Sequence, residues 1–148
     1  MLEFLGLFIF LAGFIIGLGA VSVIDVHGFL GRNSSYWTET TIRAHKVTKP
    51  LIWLGTSLAI VGGFIFYFTH TLNWVTAVHA TVAGVLVING LFLSFYVSPY
   101  LLKREREGRE RELLPDRLQK LITLSFVVSF AGWWGSLGLL VYYLIHYA

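Results

Sequence analysis

Four long apolar runs constrain the fold of this chain more than any other feature. The first extends from about Phe4 to Ile24 without a charge, and the others cover roughly residues 51–68, 74–97 and 121–145. A helix of roughly 20 residues crosses the ~30 Å hydrocarbon core of a bilayer at a rise of about 1.5 Å per residue. We therefore predict an all-α integral membrane protein, with residues 1–148 forming a single transmembrane domain of four helices in contact with the lipid bilayer.

The composition supports this class and excludes several others. Hydrophobic residues make up 56% of the 148 residues and charged residues 13%, and the mean hydropathy is +0.73, far from the values of soluble domains. The net charge of +3 suits basic residues beside anionic lipid headgroups, so we expect no nucleic-acid partner. The absence of cysteine excludes disulfides, thiolate metal sites and cysteine nucleophiles.

The first apolar run is expected to remain in the protein as a helix. A secretory signal peptide begins with positive residues and has an apolar stretch of about 7 to 15 residues. Here no Lys or Arg precedes Arg32, and the run is longer.

The basic residues predict the orientation of the chain. Only residues 69–73 separate the second and third runs, so these two helices are expected to be antiparallel neighbours. Under the positive-inside rule, connections rich in Lys and Arg stay in the cytoplasm. We therefore predict an antiparallel four-helix bundle in a bacterial or archaeal cytoplasmic membrane, with both ends of the chain outside. All eleven basic residues lie in the other two connections: Arg32, Arg43, Lys46 and Lys49 in the first, and Lys103, Arg104, Arg106, Arg109, Arg111, Arg117 and Lys120 in the second.

Both charged connections are predicted to contain helix. Residues 34–49 read as a helix in which Glu39 precedes Arg43 by four residues; Ile42, His45 and Lys49 share one of its faces, and Pro50 bends or restarts it. In residues 103–112 opposite charges recur at helical spacing, as in the pairs 105/109, 106/110 and 107/111, so we expect the third helix to extend into water. Gly108 is expected to weaken this extension before Pro115 ends it.

Small and polar residues predict how the helices pack. Gly13 and Gly17 form a GxxxG motif, and Ala80 and Gly84 repeat its spacing. Such faces serve either an intramolecular bundle, which we favour, or a dimer. Asn89 is expected to hydrogen-bond to a neighbouring helix, with Thr56 and Ser57 of the second helix at a comparable depth.

Three histidines are predicted to lie toward the outer face: His70, His79 and His146. Neutral imidazoles are common ligands of transition metals, and two of them on facing helices can hold a haem iron. The three side chains together would suit copper, zinc or haem b. The alternative is that His70 and His146 only cap the ends of their helices, where the helix dipole favours them.

A second candidate cluster lies toward the cytoplasm, at the end of the first helix and the start of the second. Its members are Asp25, His27, Glu39 and His45. Oxygen and nitrogen ligands of this kind suit a divalent metal, and the cluster could equally accept protons. The alternative is that Asp25 forms an ion pair with Arg43 or Lys46, since a carboxylate near hydrocarbon needs a partner.

The chain resembles the small four-span membrane proteins related to copper-resistance protein D, which share a helical-bundle plan with b-type cytochromes. The resemblance lies in the segment LVINGLFLSFYVSPY of residues 86–100, in the basic connection that follows it and in the histidines at helix ends. It implies copper or haem handling in a bacterial inner membrane. With only one histidine well inside a span, the chain departs from the arrangement that holds two haems.

Two functions from different classes follow. The leading hypothesis is a metal- or haem-binding inner-membrane module for electron transfer or copper handling, with His79 as first ligand and His70 or His146 as second. The alternative is a structural or accessory subunit that packs against another membrane protein or a second copy of the chain. The sequence has no chain of acidic residues across the spans, no phosphate-binding glycine loop and no nucleophile beside a base, which argues against a pump, an NTPase or a hydrolase.

Overall fold

The computed structural model describes residues 1–31, 33–70 and 72–147, without the side chains of residues 31 and 36–38. The described residues form helices and no strand: α1 (Leu2–Gly31), α2 (Ser35–Phe68), α3 (Trp74–Phe92), a π-helical turn (Leu93–Val97), α4 (Ser98–Arg106) and α5 (Asp116–His146). The π-turn and α4 continue α3 directly. Within the described ranges, four helical segments are therefore long and apolar enough to cross a membrane, as in a multi-pass membrane protein.

Helices α1 and α2 pack backbone against backbone. A Cβ atom at Gly13 would overlap the backbone of Ala59, and one at Gly55 would overlap that of Gly17. At Gly62 a Cβ atom would meet the backbone of Phe10. Only glycine allows helices to approach this closely. The GxxxG motif therefore serves an intramolecular contact, as predicted.

The remaining contacts complete two hydrophobic clusters. The larger cluster joins α1, α2, α5 and the start of α3, whereas the smaller lies beside the π-turn. Helix α5 contacts both α1 and α3, while α2 and α3 meet at few points although they follow each other in the chain. The larger cluster contains the buried residues Phe10, Phe14, Val21, Phe66, Val75, Trp133, Leu140 and Tyr143. The smaller one contains Ile42, Val97, Leu101, Leu118 and Ile122.

Ion pairs gather the two charged connections at one end of the molecule, here named the basic end. Lys46 Nζ lies 2.8 Å from Glu105 Oε1, and Arg111 Nε lies 3.0 Å from Glu39 Oε2. The predicted pair between Glu39 and Arg43 is confirmed, at 2.7 Å.

The start and end of the described chain meet the connection between α2 and α3 at the opposite end, here named the histidine end. His70 Nε2 lies 3.4 Å from Glu3 Oε1. The Trp74 indole donates to the Tyr147 hydroxyl over 3.2 Å.

The connection after α4 differs from the prediction. Helix α4 ends at Arg106, because Gly108 adopts a positive φ of 70°, a conformation that glycine takes without strain. The predicted pairs 105/109, 106/110 and 107/111 are replaced by others, such as Arg109 with Glu112 at 2.9 Å. Hydrogen bonds from Arg109 lower the pKa of the Glu112 carboxyl.

A buried arginine holds this connection in place. Arg104 is only 4% exposed, and its guanidinium donates to the backbone oxygens of Glu112 at 2.9 Å, Leu113 at 3.2 Å and Arg109 at 3.4 Å. Hydrogen bonds from a charged donor are stronger than neutral ones. One side chain therefore fixes the chain that leads into α5.

Two further predictions about the helices have clear outcomes. Helix α2 continues through Pro50 without a restart. Asn89 does bond to a neighbouring helix, but its partner is Ser125 of α5: Asn89 Nδ2 donates to the Ser125 carbonyl over 3.1 Å, and Ser125 Oγ donates to Asn89 Oδ1 over 2.6 Å. Thr56 instead donates to the carbonyl of Ile52 in its own helix.

Candidate functional site

His70 and His146 lie at helix ends and bond to their own helices. In each, Nδ1 is 2.9 Å from the carbonyl oxygen four residues earlier, that of Phe66 and Tyr142 respectively. Since a carbonyl only accepts, Nδ1 carries the hydrogen in both. This is the helix-capping arrangement expected as the alternative to a cofactor site, and in a neutral ring it leaves the Nε2 lone pair for another partner.

His79 is buried between α1 and α2, with 5% of its surface exposed. Its Nδ1 lies 2.9 Å from the Tyr67 hydroxyl, and its ring centroid lies 5.3 Å from that of Phe10 and 6.2 Å from that of Phe14. A hydrogen bond at one ring nitrogen commonly orients a histidine whose other nitrogen binds a metal.

The three histidines bond to different neighbours. The rings of Tyr67 and Tyr143, 5.0 Å apart, link His79 to His70, while His146 stacks on Tyr142 at 4.2 Å. Within the described ranges no group of three His, Asp or Glu side chains is arranged to hold a metal ion. The three-histidine site for copper, zinc or haem stays a prediction.

A cavity of about 100 Å³ lies between the helices toward the basic end, and we name it the central cavity. Its walls are largely apolar, with polar side chains at a few positions. The predicted face of α2 formed by Ile42, His45 and Lys49 is turned toward it. The polar and charged residues that line it are Asp25, Thr41, His45, Lys49, Thr56, Ser94, Gln119, Thr123 and Ser129, together with the indoles of Trp53 and Trp133.

Three buried polar atoms in the cavity wall have no hydrogen-bond partner among the described residues: Asp25 Oδ2, Thr41 Oγ1 and His45 Nε2. Asp25 is only 6% exposed, and the hydroxyl of Ser129 is its hydrogen-bonding neighbour. Buried polar atoms are almost always bonded to protein, water or an ion. An acceptor, a hydroxyl and an imidazole nitrogen that face one cavity therefore indicate a polar occupant.

None of the protein-family models, curated proteins or solved structures compared with the chain matches it. The resemblance to relatives of copper-resistance protein D stays a hypothesis.

Of the four predicted metal ligands, two line the central cavity and two lie outside it. Asp25 and His45 line it. His27 lies outside the lining, with Nδ1 3.0 Å from the carbonyl oxygen of Val23, and Glu39 pairs with two arginines at the surface of the basic end. The four side chains therefore do not form one cluster.

The predicted ion pair of Asp25 is not formed among the described residues. Arg43 pairs with Glu39 at 2.7 Å and Lys46 with Glu105 at 2.8 Å. The side chains of Glu39 and Glu105 are 15% and 29% exposed, whereas Asp25 is only 6% exposed. This leaves Asp25 Oδ2 directed at the cavity instead of at a cation.

The π-turn in the cavity wall was not foreseen in the sequence, although Pro99 was a signal for it. Proline lacks an N–H and its ring clashes with the carbonyl four residues earlier, which disturbs the helix ahead of it. The Ser98 N–H bonds to the Leu93 carbonyl. The next residue, Pro99, has no N–H that could bond to the Ser94 carbonyl. The Ser94 carbonyl instead accepts from Lys49 Nζ over 3.3 Å.

The size of the central cavity limits its occupant. A dry cavity of ~150 Å³ holds one benzene, and pockets for larger organic ligands measure roughly 300–1,000 Å³. At about 100 Å³, the cavity suits an ion with a few waters and is too small for a haem.

Proposed function

We propose that the chain is a metal-binding membrane module whose ion sits in the central cavity. Asp25 would supply a carboxylate oxygen and His45 an imidazole nitrogen, with the Thr41 hydroxyl and water completing the coordination. The observation that carries the proposal is that the unpartnered atoms of these three side chains line one cavity. We propose that the site binds the ion without catalysis.

The chemistry of these groups narrows the choice of ion. Carboxylate and imidazole together suit zinc, iron, manganese or copper(II), whereas copper(I) favours the thiolates that the chain lacks. The Lys49 ammonium lines the same cavity and repels any cation. We therefore expect weaker binding than in a closed structural zinc site with four protein ligands.

The orientation in the membrane is part of the proposal. An antiparallel bundle with both chain ends outside is supported by the contact of Glu3 with His70 and by that of Trp74 with Tyr147. The gathering of basic residues at the other end supports a cytoplasmic location for that end. The central cavity would then lie in the cytoplasmic half of a bacterial or archaeal inner membrane.

Metal binding by the purified protein tests the proposal. Titration with Co²⁺, followed by its visible absorption, and with Zn²⁺, followed by metal analysis, should give one ion per chain. Asp25→Asn and His45→Gln should each weaken binding at least tenfold. Matched controls are Glu39→Gln and His27→Gln, which change a carboxylate and an imidazole outside the cavity and should leave binding unchanged. No stoichiometric metal, or equal loss in all four variants, would contradict the proposal.

Haem at the histidine end is a separate outcome of the same preparation. The bond between Tyr67 and His79 favours it, because this bond leaves one imidazole nitrogen of a buried ring for an iron. A Soret band that is lost in His79→Ala and kept in His45→Gln would assign the cofactor to the histidine end and overturn the central cavity as the main site.

Open glycine faces support the second candidate, an accessory subunit. A Cβ atom at Gly84, Gly135 or Gly138 would meet no atom within 4 Å, so these faces of α3 and α5 are free to approach another helix closely. Purification in mild detergent discriminates the two candidates. A partner or second copy that is lost after Gly84→Leu, with metal binding unchanged, would support the subunit.

A further inference from the structure

The seam between α2 and α3 is the weakest wall of the central cavity. The α1–α2 seam is closed backbone against backbone, and the ring of Phe126 on α5 covers Gly28 on α1. Between α3 and α5 the double hydrogen bond of Asn89 with Ser125 closes the wall. Helices α2 and α3 meet at few points, and side chains alone bridge them toward the basic end.

Two donors on α2 converge on Ser94 in the π-turn. The Trp53 indole donates to Ser94 Oγ over 2.9 Å. The Lys49 ammonium donates to the Ser94 carbonyl over 3.3 Å and to the Ser98 hydroxyl over 3.4 Å. Both acceptors of Lys49 are neutral and both distances are long for a charged donor, so these bonds are weaker than an ion pair.

The π-turn can separate from α2 without unfolding the helix that contains it. π-turns occur mostly as single turns within α-helices and are common at functional sites. Because Pro99 withholds a backbone donor, the Ser94 carbonyl depends on a side chain for its hydrogen bond. When the side chains of Lys49 and Trp53 turn away from Ser94, no backbone hydrogen bond of the helix has to break.

We infer that the seam between α2 and the π-turn is the entrance through which the metal ion reaches the central cavity, with Ser94 as the latch that Lys49 and Trp53 hold closed. The inference rests on the proposed function. The position of this seam suits an ion that arrives from water, since the charged residues of α4 begin at Lys103, a few residues beyond Ser98. When the Lys49 side chain moves out of the seam, the passage opens. The same movement withdraws the positive charge that repels an entering cation.

A reversible cross-link tests the latch in a chain that contains no cysteine of its own. Trp53→Cys and Ser94→Cys together would be joined by a short bis-methanethiosulfonate reagent, which spans more than a direct disulfide. We expect release of bound Zn²⁺ to an external chelator to slow at least tenfold, and to recover after reduction and desalting. Trp74→Cys with Tyr147→Cys, cross-linked in the same way at the histidine end, where these two side chains are hydrogen-bonded, is the matched control and should have no effect.

A second readout does not depend on metal. Ser129→Cys places a thiol in the cavity wall, and its rate of reaction with a small methanethiosulfonate reports access. Adding Trp53→Ala should raise this rate at least fivefold, whereas Trp74→Ala, at the histidine end, should not. Unchanged labelling together with unchanged Zn²⁺ release would overturn the entrance. Faster labelling, together with no metal bound by the chain that retains Ser129, would keep the entrance and reject the metal site.

Discussion

Asn89 and Ser125 exemplify how single polar residues are satisfied in this apolar protein. Each donates to the other residue, so α3 and α5 share two hydrogen bonds. The central cavity contrasts with this pair, because Asp25, Thr41 and His45 each keep a buried atom without a partner among the described residues. A polar group that is not needed for packing and is left unsatisfied points to a ligand.

We predict that Asn89→Ala lowers the free energy of unfolding by about 0.6 to 1.7 kcal/mol, from the average to the largest value measured for hydrogen bonds between membrane helices. Titration with a denaturing detergent would measure it. Thr81→Ala is the control, since Thr81 donates to the Ala77 carbonyl in its own helix and should change stability little. A double-mutant cycle with Ser125→Ala that shows no coupling would contradict the assigned bond.

Arg104 supports a second prediction. Arg104→Gln should destabilise the protein by about 2 to 4 kcal/mol, because several backbone carbonyls lose a charged donor at once. It should also expose residues 107–115 to a protease that cuts after glutamate. Arg106→Gln, at an exposed position of the same helix, should leave the cleavage rate unchanged. Equal cleavage of both variants would show that Arg104 does not hold this connection.

At this scale the sequence predicts residue types and locations better than partners. That Asn89 would bond across helices followed from its depth in an apolar run. Its partner depended on which helix lies opposite, and the distant Ser125 displaced Thr56. The sequence predicts that Asp25 pairs with Arg43 or Lys46. These two residues pair with Glu39 and Glu105 instead, because a less buried ion pair loses less hydration. The cavity beside it depends on contacts among all the long helices and leaves no local pattern.

Close packing distinguishes one pair of helices from the others. Helices α1 and α2 meet through glycines at several turns, whereas a Cβ atom at Gly19 on α1 would meet no atom within 4 Å. Gly13 and Gly19 of one helix thus have opposite roles.

Gly13→Ala should therefore destabilise the protein by about 1 to 3 kcal/mol, as expected for overpacking. Gly19→Ala should instead stabilise α1 by up to ~1 kcal/mol through higher helix propensity. Both substitutions add the same methyl group, so unfolding in denaturing detergent compares packing alone. Equal effects would contradict the α1–α2 contact.

Helix ends and irregular turns were only partly predictable. Pro115 directly precedes α5, which begins before the predicted fourth span. The weakness at Gly108 was expected, although it ends the helix instead of interrupting it. The opposite charges at helical spacing overstated the helix because Glu39 and Lys46, distant in sequence, compete for the same partners. Pro99 hinted at a defect but not at its π-helical form.

The whole molecule keeps its charged connections together and its histidine end apart. The alternation of apolar runs and charged connections along the full chain determines this arrangement. This explains why the number of helices and their approximate spans could be predicted from the sequence. The arrangement of the histidines could not be predicted in this way, because three histidines at similar depth need not face one another, and here they bond to separate neighbours.

Sidedness is tested by single cysteines at two exposed positions. An impermeant maleimide added to intact spheroplasts should label Leu72→Cys, at the histidine end. It should label Arg106→Cys, at the basic end, only after lysis. Labelling of both in intact cells would contradict the proposed orientation and the cytoplasmic position of the central cavity.

The contact between α1 and α2 also restricts how such a sequence can diverge. At positions 13, 55 and 62 a side chain of any size would collide with the backbone of the other helix, so diverging copies are expected to keep glycine there while their lipid-facing residues drift freely. Those three positions would then remain a recognisable fingerprint after the rest of the chain had lost detectable similarity.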